Sequence, residues 1–344
     1  MDTKVLILLF PIGKIGGIKT ALDYFTLGLR ELGVYYEFYP ITLNASKKPE
    51  KTIGFEKEEW LEEYYTLVKK FDIIIFFTPC PHEGKNYHSE NWKKLYEIDN
   101  IKLAYIHDPY IDRYYAWYKE IPKKYEVRLI TPWKHMWESI KHIEAMKRLI
   151  PNPFREESGK FKELKKDLIV DPNNWKLAKR KVDLIKIADK VEAKIISFGD
   201  TKELPFYLAK KEPNFSKVEH RGWVDREIIL ETLKSAKIVI DLLTTPNDTV
   251  FDYVILEGIS KGCVPITYLP SGCEYFKTVV AKKGCLECLY KIINSVLKNF
   301  SAYEDLIESN LKNLDKLDPK KIVKEVLDYA KEPYKTEKPK NILF

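Results

Sequence analysis

The 344-residue sequence has no apolar run near the ~18 residues that a membrane-crossing helix requires. Its longest, Val5 to Phe10 and Ile73 to Phe77, have the length of strands. The N-terminus lacks the basic region, long apolar stretch and small-residue cleavage site of a secretory signal, so a cytosolic chain is expected. There is no Asp-x-Asp triplet, which removes the usual sequence sign of a divalent-metal phosphate site, and neither the Walker pattern nor G-x-G-x-x-G occurs. His82, Glu83 and His88 lack the spacing of known zinc ligands, so no metal is expected. Five cysteines, an odd number spread over a long chain, make no disulfide framework. Cys285-Leu286-Glu287-Cys288 is a single C-x-x-C without a second pair, and reads as packing or an incidental disulfide rather than a redox centre. No repeat with a period of 20–50 residues is present.

What is there belongs to a folded chain: 45% hydrophobic and 32% charged residues. The length exceeds what one core usually holds, so two domains are expected. The net charge of +7 comes from 58 basic and 51 acidic residues, a mixed surface with a basic tilt rather than the clustered excess of a nucleic-acid binder. Positions 101–150 carry ten basic against six acidic residues, interleaved with Tyr115, Trp117, Tyr118, Tyr125, Trp133 and Trp137. Such a face can lie on an anionic membrane surface or contact nucleic acid, although Trp133, Met136 or Trp137, Ile140 and Ile143 recur at the spacing of a packed helix.

Continuous apolar runs bounded by turns and helical stretches suggest parallel strands covered on both faces. Val5–Phe10, Phe71–Phe77, Lys102–Ile106 and Val127–Thr131 read as strands, with helices at Ala21–Leu32 and Glu56–Lys70. Ile150-Pro151-Asn152-Pro153 breaks the pattern, and the same grammar restarts beyond it. Leu168–Val170, Lys194–Phe198, Val218–Gly222, Ile238–Leu242 and Val264–Tyr268 read as strands, with Trp175–Val191 and Glu227–Ala236 as helices. The expected domains are 1–153 and 154–318, then a helix over 319–331 and a loose tail over 332–344. The fold class is α/β, two Rossmann-like parallel sheets.

Ligands of such sheets bind beyond the carboxyl ends of strands, so strand-to-helix loops hold the candidates. Gly13-Lys14-Ile15-Gly16-Gly17 lets backbone N–H groups approach a phosphate at the start of a helix. Glu257, placed by this reading near the start of a helix after a strand and loop, suits hydrogen bonding to two adjacent hydroxyls, or simply complements the helix dipole.

The order Gly16-Gly17, His107 after an apolar strand, Ile150-Pro151-Asn152, Arg221-Gly222-Trp223-Val224 and Leu256-Glu257-Gly258-Ile259-Ser260-Lys261-Gly262-Cys263-Val264-Pro265-Ile266 resembles glycosyltransferase family 4 over most of residues 1–330. The resemblance implies a GT-B fold, its two domains facing across a cleft, with the 319–331 helix crossing back to the first. It implies metal-independent, cofactor-free sugar transfer from a nucleotide-sugar, with retention, to a sugar, lipid or protein acceptor, by a cytoplasmic enzyme that can sit peripherally on a membrane. Glu257 resembles the glutamate that holds the donor ribose, Gly17 the glycine beside the donor phosphates, and His107 the histidine near the reacting sugar. Gly16, Gly199, Gly222, Trp223 and Asp252 complete the donor set. Family members neutralise the diphosphate with Arg and Lys, whereas the loop here reads Asp171-Pro172-Asn173-Asn174-Trp175-Lys176, so Lys176, Lys179 and Arg180 are the candidate anchors. The other motif glutamate is replaced by Thr249, for which Asp248 or Asp252 can substitute. Two alternatives stay open: a DNA-base glycosyltransferase of the same fold, and an inert sugar-nucleotide or glycan-binding protein.

Overall fold

The computed structural model describes residues 3–10, 17–42, 49–78, 90–107, 115–202, 204–244 and 252–335. The chain divides into two compact units, Met1–Phe154 with Leu317–Phe344, and Arg155–Lys316.

The first unit carries six parallel strands: β1 (Lys4–Leu9), β2 (Tyr35–Pro40), β3 (Ile73–Thr78), β4 (Ile101–Tyr105), β5 (Val127–Thr131) and β6 (Lys147–Leu149), in the order β2-β1-β3-β4-β5-β6. β1 is buried beyond its first residue and β3 throughout, as expected of apolar strands with helices on both faces. The edge strand β2 is half exposed and built of Tyr, Glu and Phe, which is why no apolar run announced it. Its helices are α1 (Gly17–Glu31), α2 (Glu58–Val68), α3 (Tyr115–Lys124) and α4 (Lys134–Ile140), and the C-terminal α11 (Pro319–Lys331).

Asp318 caps α11 by accepting from Lys321 N at 3.2 Å, with Pro319 at its first position. The helix lies against α1 so closely that a Cβ at Gly28 would sit 2.4 Å from the Pro319 carbonyl oxygen. The following residues, expected as a loose tail, are held as far as Tyr334. Arg148 forks onto both Glu332 carboxylate oxygens at 2.8 and 2.9 Å, and Tyr334 donates to the Pro122 carbonyl at 3.0 Å. The partners lie about two hundred positions away, so no local pattern announces this docking. The aromatic stretch also turns inward: Trp117, Trp133, Ile140 and Ile143 are buried, so those side chains belong to the core rather than to a membrane face.

The second unit carries β7 (Lys166–Asp171), β8 (Lys194–Phe198), β9 (Val218–Gly222), β10 (Ala236–Asp241), β11 (Val264–Thr267) and β12 (Val279–Val280), again all parallel, in the order β12-β11-β10-β7-β8-β9. Its helices are α5 (Lys181–Lys186), α6 (Leu204–Ala209), α7 (Arg226–Ser235), α8 (Tyr253–Ser260), α9 (Leu286–Lys298) and α10 (Glu304–Asn313). The order reverses between β7 and β10. Successive strands from β7 run outward on one side and those from β10 on the other, so the topological switch point, where sheets of this kind bind ligands in a crevice, lies at the carboxyl ends of β7 and β10.

One expected helix is corrected here. Trp175–Val191 is not a continuous helix but a single tight turn over Leu177–Lys179 followed by α5. Arg180, at φ +48°, takes the left-handed conformation between them and breaks the helical path. The charges of this stretch therefore leave the backbone in different directions instead of sharing one solvated helix face. Cys285 and Cys288 form a disulfide at the start of α9. Among the described residues no helix is long and apolar enough to cross a membrane, and no group of three His, Cys, Asp or Glu is placed to hold a metal ion.

Candidate functional site

The crevice between β7 and β10 is where the second unit concentrates charge. β7 ends in Leu-Ile-Val-Asp171 and β10 in Ile-Val-Ile-Asp241, each an apolar strand closed by a buried carboxylate. Lys179 comes from the loop after β7. Its ammonium reaches Asp241 of β10 at 3.2 Å and also pairs with Asp252, the residue that precedes α8. The backbone closes the same gap, because Thr244 N donates to the Ala178 carbonyl at 2.7 Å. Burial works against the charge of Lys179, but the two carboxylates outweigh it and hold the ammonium well above the ordinary lysine range. Asp241 is pushed up to about 6 by burial, which Lys179 opposes and Asp252 and Asp171 reinforce.

The two carboxylates differ. Asp241 is fully buried and has no route to water, whereas the Asp252 side chain is 43% exposed. Lys179 thus has one partner sealed in the interior and one at the surface. Lys176 is exposed and carries no ion pair among the described residues. Arg180 is held by Asp183 through Nε at 3.1 Å and Nη2 at 2.8 Å. Lys181 is a structural tie: buried, 3.3 Å from Asp171, it donates to Ser197 Oγ and the Phe198 carbonyl and so joins the ends of β7 and β8.

Gly199 follows β8 at φ +109°, and a Cβ there would lie 2.5 Å from the Asn173 carbonyl oxygen. Its N–H donates to the Gly222 carbonyl at the end of β9, at 2.8 Å, and the next residue, Trp223, stands 66% exposed. Replacing Gly199 by Ala combines a disfavoured backbone with a clash against main chain that no rotamer relieves. The expected loss is about 2–3 kcal/mol, read as a fall in the urea midpoint; an unchanged midpoint would show that the loop after β7 can retreat.

Glu257 is the fifth residue of α8, in its carboxyl-terminal half rather than near its start. Its side chain is buried. Oε1 accepts from Arg226 Nε of α7 at 2.6 Å, and Arg226 Nη1 lies 2.8 Å from Glu156. Burial raises the Glu257 carboxyl above its usual value, and Arg226 opposes that shift. Oε2 carries no hydrogen bond among the described residues, so one face of the carboxylate stays available as an acceptor. Its partner Arg226 lies between the Arg221–Val224 motif and the helix expected from Glu227, where nothing in the sequence signals a buried pair. Asp241 did have a signal, an acid closing an otherwise apolar strand.

Two further candidates lie in the first unit, each at the carboxyl edge of its sheet. Gly17 opens α1, whose first turn contains no acidic residue. His107 lies two residues beyond β4, its ring 5.3 Å from Tyr105 and 4.8 Å from Phe77. Its Nε2 is buried without a hydrogen-bond partner among the described residues, and burial pulls the ring down to about 3. A base that is harder to protonate folded than unfolded costs stability as pH falls. The thermal midpoint should therefore drop more steeply between pH 6.5 and pH 3 in the wild type than in His107→Asn, whereas parallel curves would mean the ring is solvated. Gly16, Asp248, Thr249, His82, Glu83 and His88 lie outside the described residues.

No family model matches the sequence, and no curated protein matches it. Solved structures do. An α-glucosyltransferase in complex with UDP and a 13-mer DNA containing an HMU base superposes with a TM-score of 0.69 at 13% identity, covering 96% of this chain and 100% of that one. A glycosyltransferase involved in avilamycin A biosynthesis gives 0.62 at 15% identity, with 96% and 97% covered. The pneumococcal O-GlcNAc transferase GtfA in complex with UDP and GlcNAc gives 0.68 at 8% identity, with 96% and 98% covered. The chain has the GT-B fold that these proteins share.

Proposed function

We propose that the protein is a glycosyltransferase of the family 4 type that moves a sugar from a nucleotide-sugar to a hydroxyl acceptor, with retention and without a metal. The observation that carries this reading is the pairing of Lys179 with one buried and one partly exposed carboxylate at the switch point of the second unit. A donor diphosphate takes the place of Asp252 on Lys179 and gains Lys176 as a second cation, and this positive charge stabilises the leaving nucleotide. Glu257 accepts from the ribose hydroxyls through Oε2, and Trp223 offers its exposed ring to the base. The first unit receives the acceptor, with His107 offering a neutral ring and the amino end of α1 offering backbone N–H groups to an anion. Several of the structural neighbours contain UDP, which supports a uridine donor. In the proposed exchange Asp252 is released from Lys179 on the donor's arrival, so Asp252→Asn should leave donor affinity unchanged or raise it. A loss above about tenfold would assign Asp252 a direct donor contact instead.

DNA is the second acceptor reading. It is favoured by the likeness to α-glucosyltransferases bound to DNA together with the basic tilt of the chain. Transfer of label from a nucleotide-sugar to duplex DNA, falling steeply with salt, would select it over a glycan, lipid or protein acceptor.

A further inference from the structure

Helix α6 is apolar on both faces. Its inner face is fixed: Phe206 packs 5.0 Å from the Trp175 ring and 5.5 Å from those of Phe215 and His220, and Ala209 is buried beside it. Leu204, Tyr207 and Leu208, spaced i, i+3 and i+4, share the outer face and are 63%, 52% and 46% exposed. Single exposed apolar side chains are ordinary, but three on one face of a short helix form a patch that water solvates poorly. Lysines bracket it. Lys202 lies before the helix, and Lys210 and Lys211 after it; all three are exposed and none has an ion pair among the described residues. Lys210 leans over the Phe206 and Tyr207 rings at 5.0 and 5.4 Å, so its stem already lies along the patch. Glu212, the acid that follows, is taken up by Lys186 at 3.6 Å.

We propose that this face docks the protein on an anionic lipid bilayer. Leu204 and Leu208 enter the boundary between headgroups and acyl chains, Tyr207 sits at headgroup depth, and the three lysines meet lipid phosphates. Nucleic acid fits less well, because its phosphates offer nothing to three adjacent apolar side chains. The surface belongs to the second unit, whereas the basic and aromatic stretch belongs to the first, where Trp117 and Trp133 are buried. The inference is independent of the glycosyltransferase reading, since Leu204, Tyr207 and Leu208 take no part in the donor site.

The test is co-sedimentation of the full chain with phosphatidylcholine vesicles, with and without a quarter of phosphatidylglycerol. The wild type should bind the anionic vesicles and lose binding as salt rises. With about a fivefold gain in affinity per lysine near the surface, K202E/K210E/K211E should lower it about 100-fold. Leu204→Ser with Tyr207→Ser and Leu208→Ser should weaken it at least about tenfold at an unchanged thermal midpoint. Leu208→Trp should shift its emission to the blue when anionic vesicles are added. Equal or absent binding to the two vesicle types, or full binding by the serine variant, would overturn the proposal. So would a concentration-dependent dimer that the serine variant abolishes, because the face would then belong to a second copy of the chain.

Discussion

Glu257→Ala should weaken nucleotide-sugar binding by about 100-fold while the second unit stays folded. Two hydrogen bonds from ribose hydroxyls to an ionised carboxylate contribute about 1.5 kcal/mol or more each, and together they account for a change of that size. The fold should tolerate the change because Arg226 keeps a second carboxylate, Glu156, at 2.8 Å and is not left as an unpaired buried charge. Glu257→Gln separates the contributions: it keeps the shape and the bond from Arg226 but loses the charge, so affinity should fall by less than with Ala. Calorimetric titration of a nucleotide-sugar into both variants, with urea unfolding alongside, reads both effects. Unchanged affinity in Glu257→Ala would refute the ribose assignment, and a collapse of the urea midpoint would recast Glu257 as a structural residue.

Lys179→Met should destabilise the protein by about 3–5 kcal/mol at neutral pH, because it strips the buried Asp241 of its counter-charge. The sign of the pH dependence follows from the carboxyl. Asp241 already titrates near 6, above an ordinary aspartate, and loss of Lys179 raises it further. A raised carboxyl contributes stability while protonated, and that contribution is lost as pH rises through its folded value. The deficit of Lys179→Met should therefore be largest near pH 8 and shrink toward pH 5. Lys179→Met with Asp241→Asn should recover most of it, since both charges are then gone. A deficit independent of pH would mean that packing of the lysine stem, not charge, carries the effect. Donor affinity should fall in both variants and should not recover in the double one, because the phosphate partner is missing from each.

Much of the architecture was readable in the sequence because inner parallel strands, covered on both faces, are largely apolar. Val127–Thr131 and Lys194–Phe198 coincide with β5 and β8 to the residue, and so does the polar edge strand β9, read as Val218–Gly222 between two turns. The edge strands β2 and β12 were not readable, since half-exposed or two-residue strands leave no apolar run. The site was legible as positions but not as pairings. Strand-end loops pointed to Lys176, Lys179 and Glu257, yet the pairing of Lys179 with Asp241, sixty-two positions away, comes from strand order. A lysine that sequence presents as a free phosphate anchor is, in the fold, already bonded to two carboxylates. The helix expected over Trp175–Val191 failed for the same reason: periodicity could not register that Arg180 turns left-handed and Lys181 goes inward to Asp171.

The central claim is that the switch crevice of the second unit binds a nucleotide-sugar, and the most direct measurement is the thermal midpoint of the wild type against UDP-, GDP- and ADP-sugars without added metal. A ligand at about 100 times its Kd adds about 2.7 kcal/mol to apparent stability, a shift of several degrees. The account predicts such a shift with at least one donor, largely lost in Glu257→Ala and reduced in Lys179→Met. No shift with any donor, or an equal shift in Glu257→Ala, would contradict it.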